Sequence, residues 1–383
     1  MVNSIRIWEI PGDHSVGLPP TDVVQRIESG DVLLIRRAFQ QVGLWDDIQE
    51  TLWGAFEEAL GHDTAGRLRG IGLESMHQLL TGEQIKRCNE LAHLRLNSIT
   101  RSYVPRLVRN ALGYSGPGFY DQNSVIRFYV PIAFHKSNRE ILDARPGYTK
   151  PQGPHVDTWF GHATSGLNLW LAIEPVRRGN GLALFPAKWR AEIPHDNYRP
   201  LRGQNFGPPV TFEMDPGDLL FFHGEHLHSS ELNSTAWTRV VLTNRFSLSR
   251  PQIVAAATTA QWLELPLSNP IQNAIQLEDT ARSFSVEEFR RSYAPASGDG
   301  TVVALDDQWC EISINGTRRI VSRICTHEGG DLADGYVENG RLYCPWHRLS
   351  FDPETGEPAC PGVRPLRIRA NKFPLMTTHP DRP

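Results

Sequence analysis

No stretch of this 383-residue sequence is apolar for the length a bilayer crossing needs, and the N-terminal run Met-Val-Asn-Ser-Ile-Arg-Ile-Trp lacks the basic-then-apolar order of an export signal. A cytoplasmic protein is expected. No long run of one charge sign occurs and the formal net charge is only -4, which argues against nucleic acid or an anionic membrane as partner. There are five cysteines, too few for a disulfide-stapled scaffold of this size. Internal repeats and low-complexity tracts are absent as well, which excludes solenoids and tethers. What remains is a chain long enough for two or three domains with cores of their own.

The texture changes along the chain. Residues 20–115 read as mostly helical: Thr21 is a plausible cap, and Thr81-Gly-Glu-Gln84 is a capping box ahead of Ile85, Cys88, Leu91 and Leu96 at near-helical spacing. Asp31-Val-Leu-Leu-Ile-Arg-Arg suits a buried strand. From 123 to 248 apolar segments alternate with Gly, Pro and Asn, as in Ser124 to Val130, Gly166 to Ile173, Gly181 to Phe185 and Leu219 to Phe222. That pattern predicts an antiparallel barrel or jelly roll. Residues 250–296, with a helix capped by Ser285-Val-Glu-Glu288, read as a packed linker.

The most specific motif is C-terminal. Cys325-Thr-His327 and, after sixteen intervening residues, Cys344-Pro-Trp-His347 each offer one thiolate and one imidazole. Tetrahedral zinc also takes two Cys and two His, but zinc fingers pair Cys with Cys and His with His. With Glu-Gly-Gly after His327 and Phe351-Asp-Pro-Glu-Thr-Gly356 further on, residues 297–376 resemble the Rieske ferredoxin family. The resemblance implies a small all-β domain with a [2Fe-2S] cluster on Cys325, His327, Cys344 and His347, built to pass single electrons. Arg348 departs from the glycine usual after the second histidine, and reads as a potential-tuning or docking residue. Gly330 and Trp346 stand where the mitochondrial type has a disulfide, so the likeness is to the ferredoxin-like branch. Cys88, Cys310 and Cys360 are left as free thiols.

A second constellation lies at Pro154-His155-Val-Asp157. Residues two apart on an extended strand share a face, and one more histidine would complete a two-histidine, one-carboxylate set for Fe(II). His223, His226 and His228 are the candidates. His228 is preferred, because Arg239 follows eleven residues later, where its guanidinium could anchor a carboxylate. Arg245 and Arg127 are alternative anchors, His162 reads as a pocket or surface residue, and Trp159 and Trp170 as core aromatics, Trp159 sitting just past the metal strand.

Residues 31–246 look like the phytanoyl-CoA-hydroxylase-like Fe(II)/2-oxoglutarate dioxygenases, on His155-x-Asp157, Asn180-Gly-Leu-Ala-Leu-Phe-Pro186, Gly217-Asp218, and His228 through Asn233 to Arg239. The resemblance implies a double-stranded β-helix (jelly-roll) domain, with helical 20–115 and a β-helix core at 123–248. It also implies iron on His155, Asp157 and His228, and 2-oxoglutarate on Arg239. Pro186-Ala-Lys-Trp departs from the Pro-Gly-Ser-His turn of many relatives. The domains expected are thus 1–249, a linker 250–296 and a Rieske domain 297–383. Together they imply an oxygenase that hydroxylates or desaturates a small organic metabolite with O2 and 2-oxoglutarate, its cluster fed by a ferredoxin or flavin reductase. Two other readings are a 2-oxoglutarate-independent oxygenase driven through the cluster and a non-catalytic, redox-sensing metabolite binder. The sequence leaves open the substrate, assembly into a homo-oligomer, and whether electrons pass within or between chains.

Overall fold

The structure, a computed structural model, describes residues 5–12, 23–143, 149, 151–196, 198–252, 261–267, 281–293 and 300–369. Thr21 and most of the segment 250–296 lie outside the described residues. No helix among those described is long and apolar enough to cross a membrane. The chain divides into two compact units: Met1–Pro200 with Pro209–Ala294, and Leu201–Pro208 with Pro295–Pro383. The backbone therefore passes from one unit to the other three times.

The first unit is built on a nine-stranded, mostly antiparallel sheet. Strand Arg239–Ser247 pairs with Leu167–Ala172 on one side and with Val125–Tyr129 and Phe119–Asp121 on the other, and Leu167–Ala172 continues to Leu219–His223 and Val32–Ile35. A three-stranded sheet of His228–Ser230, Leu182–Leu184 and Val210–Thr211 forms the other layer. This is a jelly roll of two sheets, not a closed barrel.

Period-two alternation separates its two cores. Ile126, Phe128, Val240 and Leu242 turn outward and pack with Leu52, Phe56, Ile85, Ala92 and Leu96. Those residues come from the helices Trp45–Leu60 and Gly82–Arg106, the second of which opens with the Thr81–Gln84 capping box. Leu34, Ala172, Leu184, Phe212, Leu220, Phe222 and Val241 fill the space between the sheets. The residues of opposite parity, Val125, Arg127 and Tyr129 on one strand and Arg239, Thr243 and Arg245 on the next, line a cavity of about 590 Å³.

Apart from one 3-10 turn, Leu332–Asp334, the regular elements described in the second unit are β-strands. Strands Gly300–Ala304, Trp309–Ile314, Thr317–Ser322 and Ile368–Arg369 make one sheet, and Tyr336–Glu338, Arg341–Tyr343 and Ser350–Phe351 another. Asn315-Gly316 and Asn339-Gly340 turn two of the hairpins with positive φ at both residues, the conformation that matches strand twist. The segment 201–208 is held in this unit by Gly203 N–H donating to the Gly329 carbonyl (2.8 Å) and by Phe206 stacked on Trp346 at 4.8 Å.

Candidate metal centres and cofactor pocket

His155 and His228 are locked together before any ligand is considered. They form an isolated antiparallel bridge, each backbone N–H donating to the other's carbonyl at 2.9 Å. Each ring is then oriented by its own Nδ1, His155 on the Gly153 carbonyl (2.7 Å) and His228 on the His226 carbonyl (2.8 Å). A carbonyl accepts only from N–H, so both Nδ1 atoms carry the proton and both Nε2 lone pairs are free. Those lone pairs face one carboxylate oxygen, Asp157 Oδ1, at 4.0 Å and 3.8 Å. The donor atoms of the three residues all lie within 4.8 Å of one another.

Electrostatics favour the ligating forms. Burial pushes His155 down to about 3, with His228 adding to the shift, and burial also lowers His228; both rings are neutral at physiological pH. Burial alone would raise Asp157, but the Arg245 guanidinium beside it holds it well below the usual carboxylate range. Arg245 Nε and Nη2 approach its two oxygens at 3.3 and 3.4 Å, and Asn168 Nδ2 donates to Oδ2 at 2.8 Å. Gly224 permits the approach: a Cβ there would sit 2.9 Å from Asp157 Oδ2. Two neutral imidazoles and a carboxylate with preset orientation are a donor set that suits Fe(II) with open positions.

His226 and His223 stand outside this group. His226 Nε2 bonds to the Gly30 carbonyl at 2.8 Å and its ring packs on Trp189 at 4.5 Å, while His223 Nδ1 accepts the Glu225 N–H. Trp189, from the unusual Pro186-Ala-Lys-Trp turn, is thus the packing partner of both rings. His162 and Trp170 line the cavity, and Trp159 stacks on His195 at 4.2 Å.

Arg239 is 1% exposed and lines the same cavity as the triad. Its Nη1 donates to the carbonyls of Asn180 (2.6 Å) and Gly181 (2.8 Å), and its guanidinium lies 4.0 Å from the Tyr129 ring centre and 5.3 Å from that of Trp170. Burial lowers it to about 10, so it remains a cation, with no carboxylate bonded to it among the described residues. Arg245, by contrast, is engaged with Asp157. Asn168 and the two orienting carbonyls were missed in the sequence, and carry no motif; the shared face of Arg239 and Arg245, six residues apart on one strand, was readable from strand periodicity.

In the second unit, Cys325 and Cys344 are 1% exposed, and their thiols hydrogen-bond to each other. Cys325 Sγ also accepts the backbone N–H of His327 and Glu328, and Cys344 Sγ those of Trp346 and His347. The imidazoles of His327 and His347 lie side by side, 5.1 Å between ring centres. A pair of thiols, a pair of imidazoles and amide donors to the sulfurs fit a [2Fe-2S] cluster. Arg348 takes the left-handed conformation (φ 57°), which explains glycine's place there, and its side chain reaches Glu338 at 2.6 Å and stacks on Tyr343. Gly330 packs directly on Trp346: a Cβ would lie 2.8 Å from the indole and 2.9 Å from Cys344 Sγ.

Comparison with known proteins gives these sites a class. Residues 93–241 match the family model for phytanoyl-CoA dioxygenase, and residues 286–370 that for the Rieske [2Fe-2S] domain. The two models match separate parts of the chain, a phytanoyl-CoA dioxygenase-type part and a Rieske-type part. The first match implies Fe(II) and 2-oxoglutarate as cofactors, for which His155, Asp157 and His228 offer the metal donors, and the second implies a [2Fe-2S] cluster.

Two short curated matches are the anthranilate 1,2-dioxygenase ferredoxin subunit of Burkholderia cepacia, 41% identical over 46 residues, and the oxygenase component of dicamba O-demethylase from Stenotrophomonas maltophilia, 38% over 56 residues. They cover 12% and 14% of this chain, which spans 43% and 16% of their lengths. Among solved structures, the non-haem alpha-ketoglutarate-dependent carbocyclase SnoK from nogalamycin biosynthesis is similar at 14% identity over 59% of this chain and 83% of its own, with a TM-score of 0.33. A score this low carries no weight for function.

Proposed function

We propose that this protein hydroxylates or desaturates a small organic metabolite with O2 and 2-oxoglutarate at an Fe(II) held by His155, Asp157 and His228. The observation that carries this reading is one cavity lined both by the preset triad and by Arg239, a buried cation whose described acceptors, the Asn180 and Gly181 carbonyls and the Tyr129 hydroxyl, are all neutral, and whose Nε has none. A guanidinium fork of that kind suits the distal carboxylate of 2-oxoglutarate. The bound iron supplies activation of O2. The chain's part is to present two unprotonated Nε2 atoms and one carboxylate, with Arg245 and Asn168 fixing that carboxylate's rotamer. Cys325, His327, Cys344 and His347 hold the cluster, which takes single electrons from a ferredoxin or flavin reductase. Five unbridged cysteines accord with a cytoplasmic setting.

The test is O2 consumption and succinate formation by full-length, iron-loaded protein across a small-metabolite panel. Product and succinate are expected in equal amounts. His155→Ala, Asp157→Ala and His228→Ala should abolish turnover while leaving the cluster absorbance in place, and Arg239→Ala should raise the 2-oxoglutarate requirement about tenfold or more, as loss of a charge-assisted pair does. Product without succinate, dependent on reductase, would replace this reading with a 2-oxoglutarate-independent oxygenase.

A further inference from the structure

Three arginines face the cavity, and two of them have partners. Arg245 pairs with Asp157, and Arg239 donates to the Asn180 and Gly181 carbonyls. The third, Arg127, stands on the strand Val125–Tyr129, opposite Val241 in the sheet. Its neighbours Ile126 and Phe128 belong to the outer core, so Arg127 turns inward with Val125 and Tyr129 and lines the cavity. Its Nη1 is buried and has no hydrogen-bond acceptor among the described residues.

A guanidinium nitrogen kept from water without an acceptor costs stability, and that cost is offset when a ligand supplies the acceptor. The charge of Arg127 is felt at His155, His162, His228 and Arg239, which puts it beside both the triad and the co-substrate anchor. Among the described residues the cavity's one other carboxylate, Asp121, already accepts the Asn123 backbone N–H at 2.9 Å.

We infer that Arg127 binds a carboxylate of the primary substrate, so that the enzyme acts on small organic acids. The inference rests on the 2-oxoglutarate reading above. That co-substrate has two carboxylates: the distal one belongs with Arg239, and the oxo-acid end with the metal ion. Neither remains for Arg127. The cavity wall is mostly polar, with Gln152, Asn123, Ser230, Thr243 and Gln261 among its lining and only a few apolar side chains such as Leu182 and Phe222. Such a wall fits a compact polar anion better than a long acyl chain.

Matched pairs of acid and primary amide test this: benzoate with benzamide, phenylacetate with phenylacetamide, hexanoate with hexanamide. Each is titrated calorimetrically into the full-length, Fe(II)-loaded protein, held anaerobically and saturated with 2-oxoglutarate. At least one acid should bind about tenfold or more tightly than its amide. Arg127→Gln should bring that pair to near equality, Arg127→Lys should keep part of the preference, and 2-oxoglutarate affinity should be unchanged in both. Unaltered cluster absorbance and circular dichroism would show that the variants fold.

Wild-type protein that prefers none of the acids overturns the inference. So does an Arg127→Gln variant whose loss falls on 2-oxoglutarate, since Arg127 would then serve the co-substrate. Failure of the underlying reading is separable: wild-type protein would give no 2-oxoglutarate binding at all, while the acid and amide pairs titrated without it would still report on Arg127.

Discussion

Glu174 is a half-buried carboxyl near Glu74. Burial, helped by the Glu74 carboxylate, pushes it from the ordinary 4.5 up to about 7. A folded-state value above the unfolded one gives a contribution to stability that is fully present below about pH 4.5 and is lost as pH rises through 7. Glu174→Gln, neutral throughout, should therefore melt a few degrees above wild type at pH 8, with the gap closing by pH 5, as scanning calorimetry would record. An equal gap at both values would mean that charge is not the cause.

Other single residues differ in how far the sequence announced them. His155-x-Asp157 could be read at once, because two donors one strand period apart already make half a site. The choice of His228 over His226 rested on the later arginine, and three-dimensional structure adds the reason: His226 is taken by the Gly30 carbonyl, 196 residues away in sequence. No local pattern encodes a partner that distant, nor the grip of Arg245 on Asp157, 88 residues apart.

Elements with strong local signals were legible: the Thr81 capping box, the strand at Val32–Ile35, and the Ser285–Glu288 box, whose reciprocal bonds measure 2.7 and 3.2 Å. The two-residue strand Val210–Thr211 was not, because a strand that short has no period to detect. The two cluster loops show both sides of this. Their Cys-x-His and Cys-x-x-His spacing was plain in the sequence, while their packing was not: Gly330 lies directly against both Trp346 and Cys344 Sγ. Gly330→Ala should force the indole outward and cost most of the bound cluster, read as lost visible absorbance and iron content per chain. Normal cluster content in that variant would mean the loops yield more easily than their contacts suggest.

For the whole molecule, the composition of the second unit is the feature that sequence order hides. A Rieske domain cut at residue 295 looks complete by motif, yet it lacks the segment 201–208, whose Phe206 stacks on Trp346 between two cluster ligands. The fragment 295–383 is therefore expected to hold its cluster less durably than the full chain, with a shorter half-life of visible absorbance in air. Phe206→Ala in the full chain should move the same way. Equal half-lives for fragment and full chain would show that the segment merely rests on the surface.

That stitch also sets a timetable for synthesis. The strands of the second unit run to Arg369, so roughly 160 residues are translated after the segment before the last of those strands exists. At roughly 5–20 residues per second, Phe206 waits on the order of ten seconds for Trp346 to arrive. During that wait the first unit can close around its own core, but a loop of its sequence stays unclaimed. The nascent chain is thereby obliged to finish its electron-transfer unit last, with one piece already in hand.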